Sequence, residues 1–127
     1  MISIITGTLN RMEYLPELLE NTVEADERIE LVLVDGGSTD DTLPFLRQNA
    51  KINERIKLVE VGERSPYPHY MNLGVKAASH ELVCQWNDDV LLCNKWQDVF
   101  DTIDDQNDVY IFNWKTGSQD DIHNPEW

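Results

Sequence analysis

The stretch IELVLVDGGSTDD, residues 29 to 41, carries the clearest structural signal in this sequence. Residues 29 to 34 are almost continuously apolar, which is typical of a strand covered on both faces. The run ends abruptly at Asp35, where two glycines and a polar segment indicate a turn. Asp40 or Asp41 can then cap a helix with an apolar face formed by Leu43, Leu46 and Ala50. This stretch predicts a buried strand, a tight turn and a helix.

The same order of elements continues on both sides of that stretch. Short β-rich runs at residues 2–6, 56–61, 82–86 and 109–114 predict further strands, and we expect the run at 82–86 to be buried. Apolar positions at helical spacing predict helices over about residues 12–24 and 69–79, and around residues 96–103. In the second of these, Met71, Val75 and Ala78 form the expected apolar face.

This alternation of strands and helices predicts an α/β fold. We expect one domain over residues 1–127, because this length is that of an ordinary domain with a single core. It should contain a mostly parallel sheet with helices on both faces. In such sheets ligands bind beyond the carboxyl ends of the strands.

The charge balance limits the possible partners. The chain carries 24 acidic and 10 basic residues, a formal net charge of -14. Nucleic acids and anionic membranes are bound mainly through Lys and Arg, so we expect neither as a partner. A nucleotide diphosphate would also be repelled, unless a divalent cation bridges it to protein carboxylates. Much of the acidity can equally serve solubility alone.

The sequence also suggests a cellular location. Cys84 and Cys93 are the only cysteines, and without a CxxC spacing they are expected to be buried free thiols. No charged region followed by a long apolar segment opens the chain, and no run reaches the length of a membrane span. We expect a cytoplasmic location.

Polar residues follow several predicted strands at the point where each ends. Thr8 and Asn10 follow the first strand, Asp35 follows the second, and Asn87-Asp88-Asp89 follow the fourth. The absence of a G-x-G-x-x-G or a G-x-x-x-x-G-K-[ST] motif argues against a dinucleotide site and a P-loop. The sequence therefore predicts a different kind of site at the carboxyl edge of the sheet.

The two adjacent carboxylates Asp88 and Asp89 are the strongest chemical signal. Carboxylate oxygens are the hard ligands that Mg²⁺ and Mn²⁺ prefer. An isolated Asp-Asp pair can also be a solvated acidic turn, and Asp35 can be a turn residue instead of a ligand contact. Arg64, in the loop after the third strand, suits phosphate oxygens, although a loop Arg is often simply solvated.

Several segments together resemble family-2 glycosyltransferases of the GT-A fold, and the resemblance covers almost the whole chain. Residues 3–11, SIITGTLNR, resemble the family's opening strand and P-T-Y-N-R turn, and residues 31–40, LVLVDGGSTD, resemble V-V-D-D-G-S-T-D. Residues 72–74, NLG, followed by Ala77 and Ala78, resemble the N-x-G…A segment. Residues 82–89, LVCQWNDD, stand in the place of the D-x-D strand, and Trp96 matches a tryptophan soon after it.

The resemblance implies a set of roles for a nucleotide-sugar donor. Nucleobase and ribose would be held by the turn at Gly7, Thr8 and Asn10 together with Asp35, and Asp88 would lie near the ribose. Asp89 would bind the cation on the diphosphate. Further donor contacts are implied for Arg11, Asn72 and Asn87. Asn87 replaces the first Asp of D-x-D, so metal binding would depend more heavily on Asp89.

The tail adds a possible catalytic base. Residues 117–121, GSQDD, resemble the family's G-x-x-E-D segment, whose last Asp is the base of inverting members, so Asp121 would take that role. A polar, frayed terminus is the alternative interpretation. His123 is a candidate additional metal ligand or, alternatively, an exposed tail residue.

The resemblance therefore implies an inverting, hexosyl-type glycosyltransferase that uses Mn²⁺ or Mg²⁺, a UDP-sugar donor and a hydroxyl acceptor. Only residues 90–119 lie between the two acidic motifs, which is short for an acceptor-binding region. A nucleotide-sugar-binding module without efficient turnover is therefore the main alternative. A nucleotidyltransferase is disfavoured, because only Arg11 lies near the first turn where a basic phosphate loop would be expected.

Overall fold

The computed structural model describes residues 1–103 and 107–124. It divides into two compact units, the first covering residues 1–90 and the second beginning at Leu91. The expectation of one domain over the whole chain stays a prediction. The first unit contains strands β1 (Ile2–Thr8), β2 (Ile29–Asp35), β3 (Ile56–Glu60) and β4 (Val83–Asn87), and helices α1 (Leu15–Asn21), α2 (Thr42–Ile52) and α3 (Tyr67–Ala77).

The four strands form one fully parallel sheet in the order β3-β2-β1-β4. The register aligns the strand ends: Thr8 pairs with Asp35, and Gly7 pairs with Asn87. The residues that follow the strands therefore meet at one edge of the sheet. This confirms the predicted α/β fold with a parallel sheet.

Apolar side chains of β1 and β2 form the centre of the core. Every residue of β2 is buried, as its continuous apolar run predicts. Because crossovers between parallel strands are right-handed, the strand order puts α1 and α2 on one face of the sheet and α3 on the other. Gly74 lets α3 approach closely, because a Cβ at this position would overlap the Ile5 side chain and lie 3.3 Å from Val34 Cγ2.

Helix α3 and strand β4 differ in burial from the sequence-based predictions. In α3 the buried residues are Tyr70 and Gly74, whereas Val75 is 51% exposed. The close approach at Gly74 rotates a different side of the helix toward the sheet than the apolar residues alone suggest. Strand β4 alternates between exposed and half-buried residues, because among the described residues it pairs only with β1, along one side. An edge strand in a sheet of this width is covered less than a central one.

A buried carboxylate lies at the opposite, amino-terminal side of the sheet. Glu30 is 4% exposed and accepts hydrogen bonds from the Ser3 hydroxyl at 2.9 Å and the Ser79 amide at 2.8 Å. Lys57 Nζ lies 3.6 Å from its other oxygen. Burial alone would raise the pKa of Glu30, but the hydrogen bonds from Ser79 and Ser3 and the charge of Lys57 outweigh it and lower that pKa.

Both cysteines are free thiols, as predicted. Cys84 is half-buried and Cys93 is exposed, so the expectation that both are buried was wrong. Burial raises the pKa of the Cys84 thiol to about 11, which leaves it protonated and unreactive at neutral pH. In the part of the chain that is described, no helix combines the length and the apolar character needed to cross a membrane.

The second unit has little regular structure. It contains 3₁₀ turns at Trp96–Asp98 and Gln119–His123 and a one-turn helix, α4 (Val99–Thr102). Trp96 and Phe100 pack with ring centroids 5.8 Å apart. The predicted helix around residues 96–103 is therefore present but short, with Trp96, Val99, Phe100 and Ile103 half-buried on it.

The strand predicted at residues 109–114 is absent, since this segment belongs to no sheet within the described residues. Val109 is 89% exposed and Ile111 is 90% exposed. A β-branched run forms a strand only when its backbone pairs with a neighbouring strand and one face is covered. The composition of the segment predicted the strand, but neither condition is met.

Candidate functional site

Asp35 ends β2 and is fully buried. Its Oδ1 accepts hydrogen bonds from the amides of Gly37 at 2.8 Å and Ser38 at 2.9 Å, and its Oδ2 accepts one from the Ser38 hydroxyl. Gly37 has a φ of 98°, a conformation that favours glycine. Asp35 therefore shapes the turn after β2, while its predicted contact with base or ribose stays a prediction.

Asn10 connects the loop after β1 to the loop after β2. Its φ is 53°, which Asn tolerates better than most residues. Its side-chain oxygen accepts hydrogen bonds from the amides of Thr39 at 2.8 Å and Asp40 at 3.2 Å, and its own amide donates to Ser38 Oγ at 2.9 Å. Asn10, which is predicted to contact the nucleotide, thus connects the loop after β1 to the loop after β2 by hydrogen bonds.

Arg11 extends this network to the end of β4. Its amide donates to Thr42 Oγ1 at 3.1 Å, which anchors the backbone at the start of α2. Its guanidinium lies 5.5 Å from the centre of the Tyr14 ring, and its Nε is 3.7 Å from Asp88 Oδ2. Asn10, Arg11 and their partners therefore join the ends of three neighbouring strands.

Asp88 and Thr8 are two buried polar side chains at this edge. Asp88 is 7% exposed and Thr8 is 3% exposed. Burial raises the pKa of the Asp88 carboxyl, and the Thr8 hydroxyl and the Arg11 guanidinium offset only part of that effect. Although it lies near Asp88, Thr8 Oγ1 makes no hydrogen bond of normal geometry, the only such buried side-chain atom among the described residues. The Thr8 hydroxyl therefore lacks the partner that buried polar atoms normally have, and Asp88 is a carboxylate whose charged form burial disfavours.

These residues fit a divalent cation. Asp89, next to the buried Asp88, is exposed, and so is Asn87. Across residues 1–103 and 107–124, no group of three His, Cys, Asp or Glu side chains could by itself hold a metal. Mg²⁺-type sites often use only one or two carboxylates, the other ligands being water and substrate phosphates. A cation here would also stabilise the charge that burial disfavours on Asp88.

Three further residues are predicted to contact the donor. Arg64 is exposed in the loop between β3 and α3, and Asn72 is exposed on α3. Gly7, at the end of β1, lies against the Tyr70 ring: a Cβ on Gly7 would be 3.2 Å from Tyr70 Cδ2. The roles of these residues in binding remain predictions.

Tyr70 is a residue of the site that the sequence analysis missed. It is 8% exposed, and its hydroxyl accepts a hydrogen bond from the Ser65 amide at 2.7 Å and donates one to the Glu63 carbonyl at 3.3 Å. It thereby connects α3 to the loop that carries Arg64. The available signal was its spacing of four residues from Gly74, which puts both on one side of α3.

Asp121 lies in the second unit and has a local structural role. Its Oδ2 accepts hydrogen bonds from the Ser118 amide at 2.7 Å and the Ser118 hydroxyl at 3.1 Å, completing a capping box on the last 3₁₀ turn. Its catalytic role is untested. The side chain of His123, predicted as an additional metal ligand, lies outside the described residues.

Comparisons with known proteins find similarity to glycosyltransferases. An uncharacterised glycosyltransferase of Haemophilus influenzae is 24% identical over 109 residues, covering 85% of this chain and 34% of the relative. A mannosyltransferase from Pyrobaculum calidifontis, solved with GDP-Man and Mn²⁺, superposes with a TM-score of 0.65 at 28% identity, covering 78% of this chain and 30% of the other.

A second solved structure, S. aureus TarS residues 1–349 in complex with UDP, superposes with a TM-score of 0.60 at 28% identity, covering 69% of this chain and 27% of the other. This chain spans about a third of the length of the curated relatives it matches first. The sequence profile of Glycosyl transferase family 2 matches residues 3–126. The parallel sheet, the acidic turn after β4 and this match together show that the chain belongs to Glycosyl transferase family 2.

Proposed function

We propose that this chain carries the donor-binding part of a metal-dependent, inverting glycosyltransferase that moves a hexosyl group from a UDP-sugar to an acceptor hydroxyl. The observation that carries the proposal is the buried carboxylate of Asp88 together with the buried, unpartnered hydroxyl of Thr8 and the exposed Asp89. Such groups are costly in a folded protein unless a ligand completes them.

The charge of the chain supports the metal requirement. A net charge of -14 repels a diphosphate, and two carboxylates at the binding edge add to that repulsion. A bound Mn²⁺ or Mg²⁺ would neutralise negative charge on the diphosphate as it leaves the sugar. Asp89 is the proposed principal ligand, because it is exposed and follows the buried Asp88. His123 remains a candidate additional ligand.

The choice of UDP is supported by the TarS structure with UDP, whereas the P. calidifontis mannosyltransferase was solved with GDP-Man. Asp35, Thr8 and Asn10 lie where the donor nucleoside would bind in this proposal. Arg64 is proposed to contact the diphosphate. The bases differ in size and in hydrogen-bonding groups, so a comparison of UDP with GDP tests this part directly.

The proposed base is Asp121, which would take the proton of the acceptor hydroxyl during transfer. Its oxygen already accepts two hydrogen bonds from Ser118. That capping role favours one alternative, a module that binds nucleotide-sugar without efficient turnover. Binding in the presence of Mn²⁺ together with no transfer or hydrolysis would identify this alternative.

Isothermal titration calorimetry tests the binding part of the proposal. UDP should bind in the presence of Mn²⁺ and not in EDTA, and more tightly than GDP. Asp89→Ala should remove the dependence on Mn²⁺. Asp41→Ala is the matched control, because Asp41 is exposed and makes no side-chain capping bond. Equal affinity for UDP with Mn²⁺ and with EDTA would refute the metal requirement.

A further inference from the structure

Tyr70 lies beneath the carboxyl edge of the sheet and touches three of the segments that form it. Its ring packs against Gly7 at the end of β1, and its hydroxyl abuts Gly36 in the turn after β2. The same hydroxyl is bonded to the loop between β3 and α3. No predicted donor contact involves Tyr70, yet it connects the segments that carry several of those contacts.

The hydroxyl bonds fall on both sides of Arg64. The amide of Ser65 donates to Tyr70 Oη at 2.7 Å, and Tyr70 Oη donates to the carbonyl of Glu63 at 3.3 Å. Arg64 itself is exposed between these two anchored residues. The backbone on each side of Arg64 is therefore held by one buried side chain.

Gly36 and Tyr70 form a matched pair. A Cβ on Gly36 would overlap the Tyr70 hydroxyl and lie 3.0 Å from Tyr70 Cζ. The hydroxyl thus occupies the space that a side chain at position 36 would need, while the Gly36 amide donates to the Thr8 carbonyl at 3.0 Å.

We infer that Tyr70 is a positioning residue for the donor: its hydroxyl holds the Arg64 loop against the Asp35–Gly36 turn and sets the spacing across which a nucleoside diphosphate binds. This inference rests on the proposed function. A binding loop that is already ordered loses less conformational freedom when the ligand binds, so affinity rises without any new contact to the ligand.

Tyr70→Phe tests the inference, because it removes the hydroxyl and keeps the ring against Gly7. We expect UDP affinity in the presence of Mn²⁺ to fall by about threefold to tenfold, the worth of roughly one hydrogen bond. Amide exchange at Ser65, followed by NMR, should become faster. Tyr67→Phe is the matched control: Tyr67 lies on the same helix, but its hydroxyl contacts the Trp86 carbonyl at 3.4 Å and no part of the Arg64 loop.

A second variant approaches the same contact from the other side. Gly36→Ala puts a methyl group where the Tyr70 hydroxyl lies, so it should weaken UDP binding by displacing Tyr70. In the Tyr70→Phe background part of this overlap is gone, and the additional loss from Gly36→Ala should be smaller than in the wild-type chain. If the losses of UDP affinity from the two substitutions simply add, position 36 and the Tyr70 hydroxyl do not act through their mutual contact.

The outcomes separate this inference from the proposed function. If the wild-type chain binds neither UDP nor GDP with Mn²⁺, the proposed function is overturned and the inference with it. If the wild type binds UDP and Tyr70→Phe stays within about twofold of its affinity, only the inference is overturned. Weaker binding by Tyr70→Phe, faster exchange at Ser65 and an unchanged Tyr67→Phe would support both.

Discussion

Removal of the Asp35 carboxylate should destabilise the protein strongly. The side chain is fully buried and accepts three hydrogen bonds from Gly37 and Ser38, all within the turn after β2. Asp35→Ala leaves those donors without an acceptor inside the protein. Water can replace the carboxylate only in part, because Asp35 itself is fully buried while Gly37 and Ser38 are half-buried.

The size of the effect follows from these contacts. A hydrogen bond to a charged group contributes about 1.5–3 kcal/mol. The three bonds on Asp35 share one turn, and Gly37 and Ser38 are half-buried, so their contributions overlap and solvent recovers part of the loss. We expect Asp35→Ala to lower the free energy of unfolding by about 3–4 kcal/mol, a large share of the ~5–15 kcal/mol typical of a domain.

Urea unfolding followed by circular dichroism measures this loss. Asp35→Asn keeps one acceptor oxygen for the two amides, so it should cost only about 1 kcal/mol. Asp41→Ala again serves as the control, with an expected change within about 0.5 kcal/mol. If Asp35→Ala costs no more than Asp41→Ala, the hydrogen bonds of Asp35 do not hold the turn and the reasoning fails.

The folded Asn variant then tests the binding role. If Asp35 also contacts the nucleoside, UDP affinity in Asp35→Asn should fall by about 1–3 kcal/mol, because an amide replaces a charged acceptor. Calorimetry on the folded variant measures this independently of stability. Unchanged affinity would restrict Asp35 to its role in the turn.

Three further predictions follow. Asp88→Asn should raise the melting temperature of the metal-free protein, because burial raises the pKa of Asp88 and so disfavours its charged form. The same variant should bind UDP more weakly in the presence of Mn²⁺. A lower melting temperature of the metal-free variant would contradict the first expectation. The pKa of Glu30 lies below its ordinary value of 4.5, so its contribution to stability is present above that pH and is lost as the pH falls through the lowered pKa. Glu30→Gln should therefore flatten the dependence of unfolding free energy on pH in that acidic range. An unchanged dependence would show that Glu30 does not cause the loss of stability in acid. Asp121→Asn should lower kcat by roughly 10²–10⁴-fold with little change in donor affinity if Asp121 is the base, whereas Asp120→Asn should not; equal, small effects would leave the base unidentified.

The sequence by itself determined the order and type of most elements. The apolar run at residues 29–34 predicted a central strand, and β2 is buried throughout. The alternation of predicted strands with predicted helices indicated parallel strand pairing, because consecutive parallel strands need a crossover connection, usually a helix. The positions of Thr8, Asp35 and Asp88 at the ends of the first, second and fourth strands predicted that they lie at one edge of the sheet, and the register brings those strand ends together.

Only the tertiary structure decided what each polar side chain contacts. Asn10 and Ser38 are 28 residues apart, and nothing in their local sequence indicates that they bond. Tyr70 was not identified as a site residue, because its partners come from the ends of two strands and from a loop. The edge position of β4 and the exposed segment at residues 109–114 depend on which strands find neighbours. The spacing of apolar residues shows which side of a single helix or strand faces the core. Hydrogen-bond partners and the burial of a strand depend instead on contacts between segments that are distant in the chain.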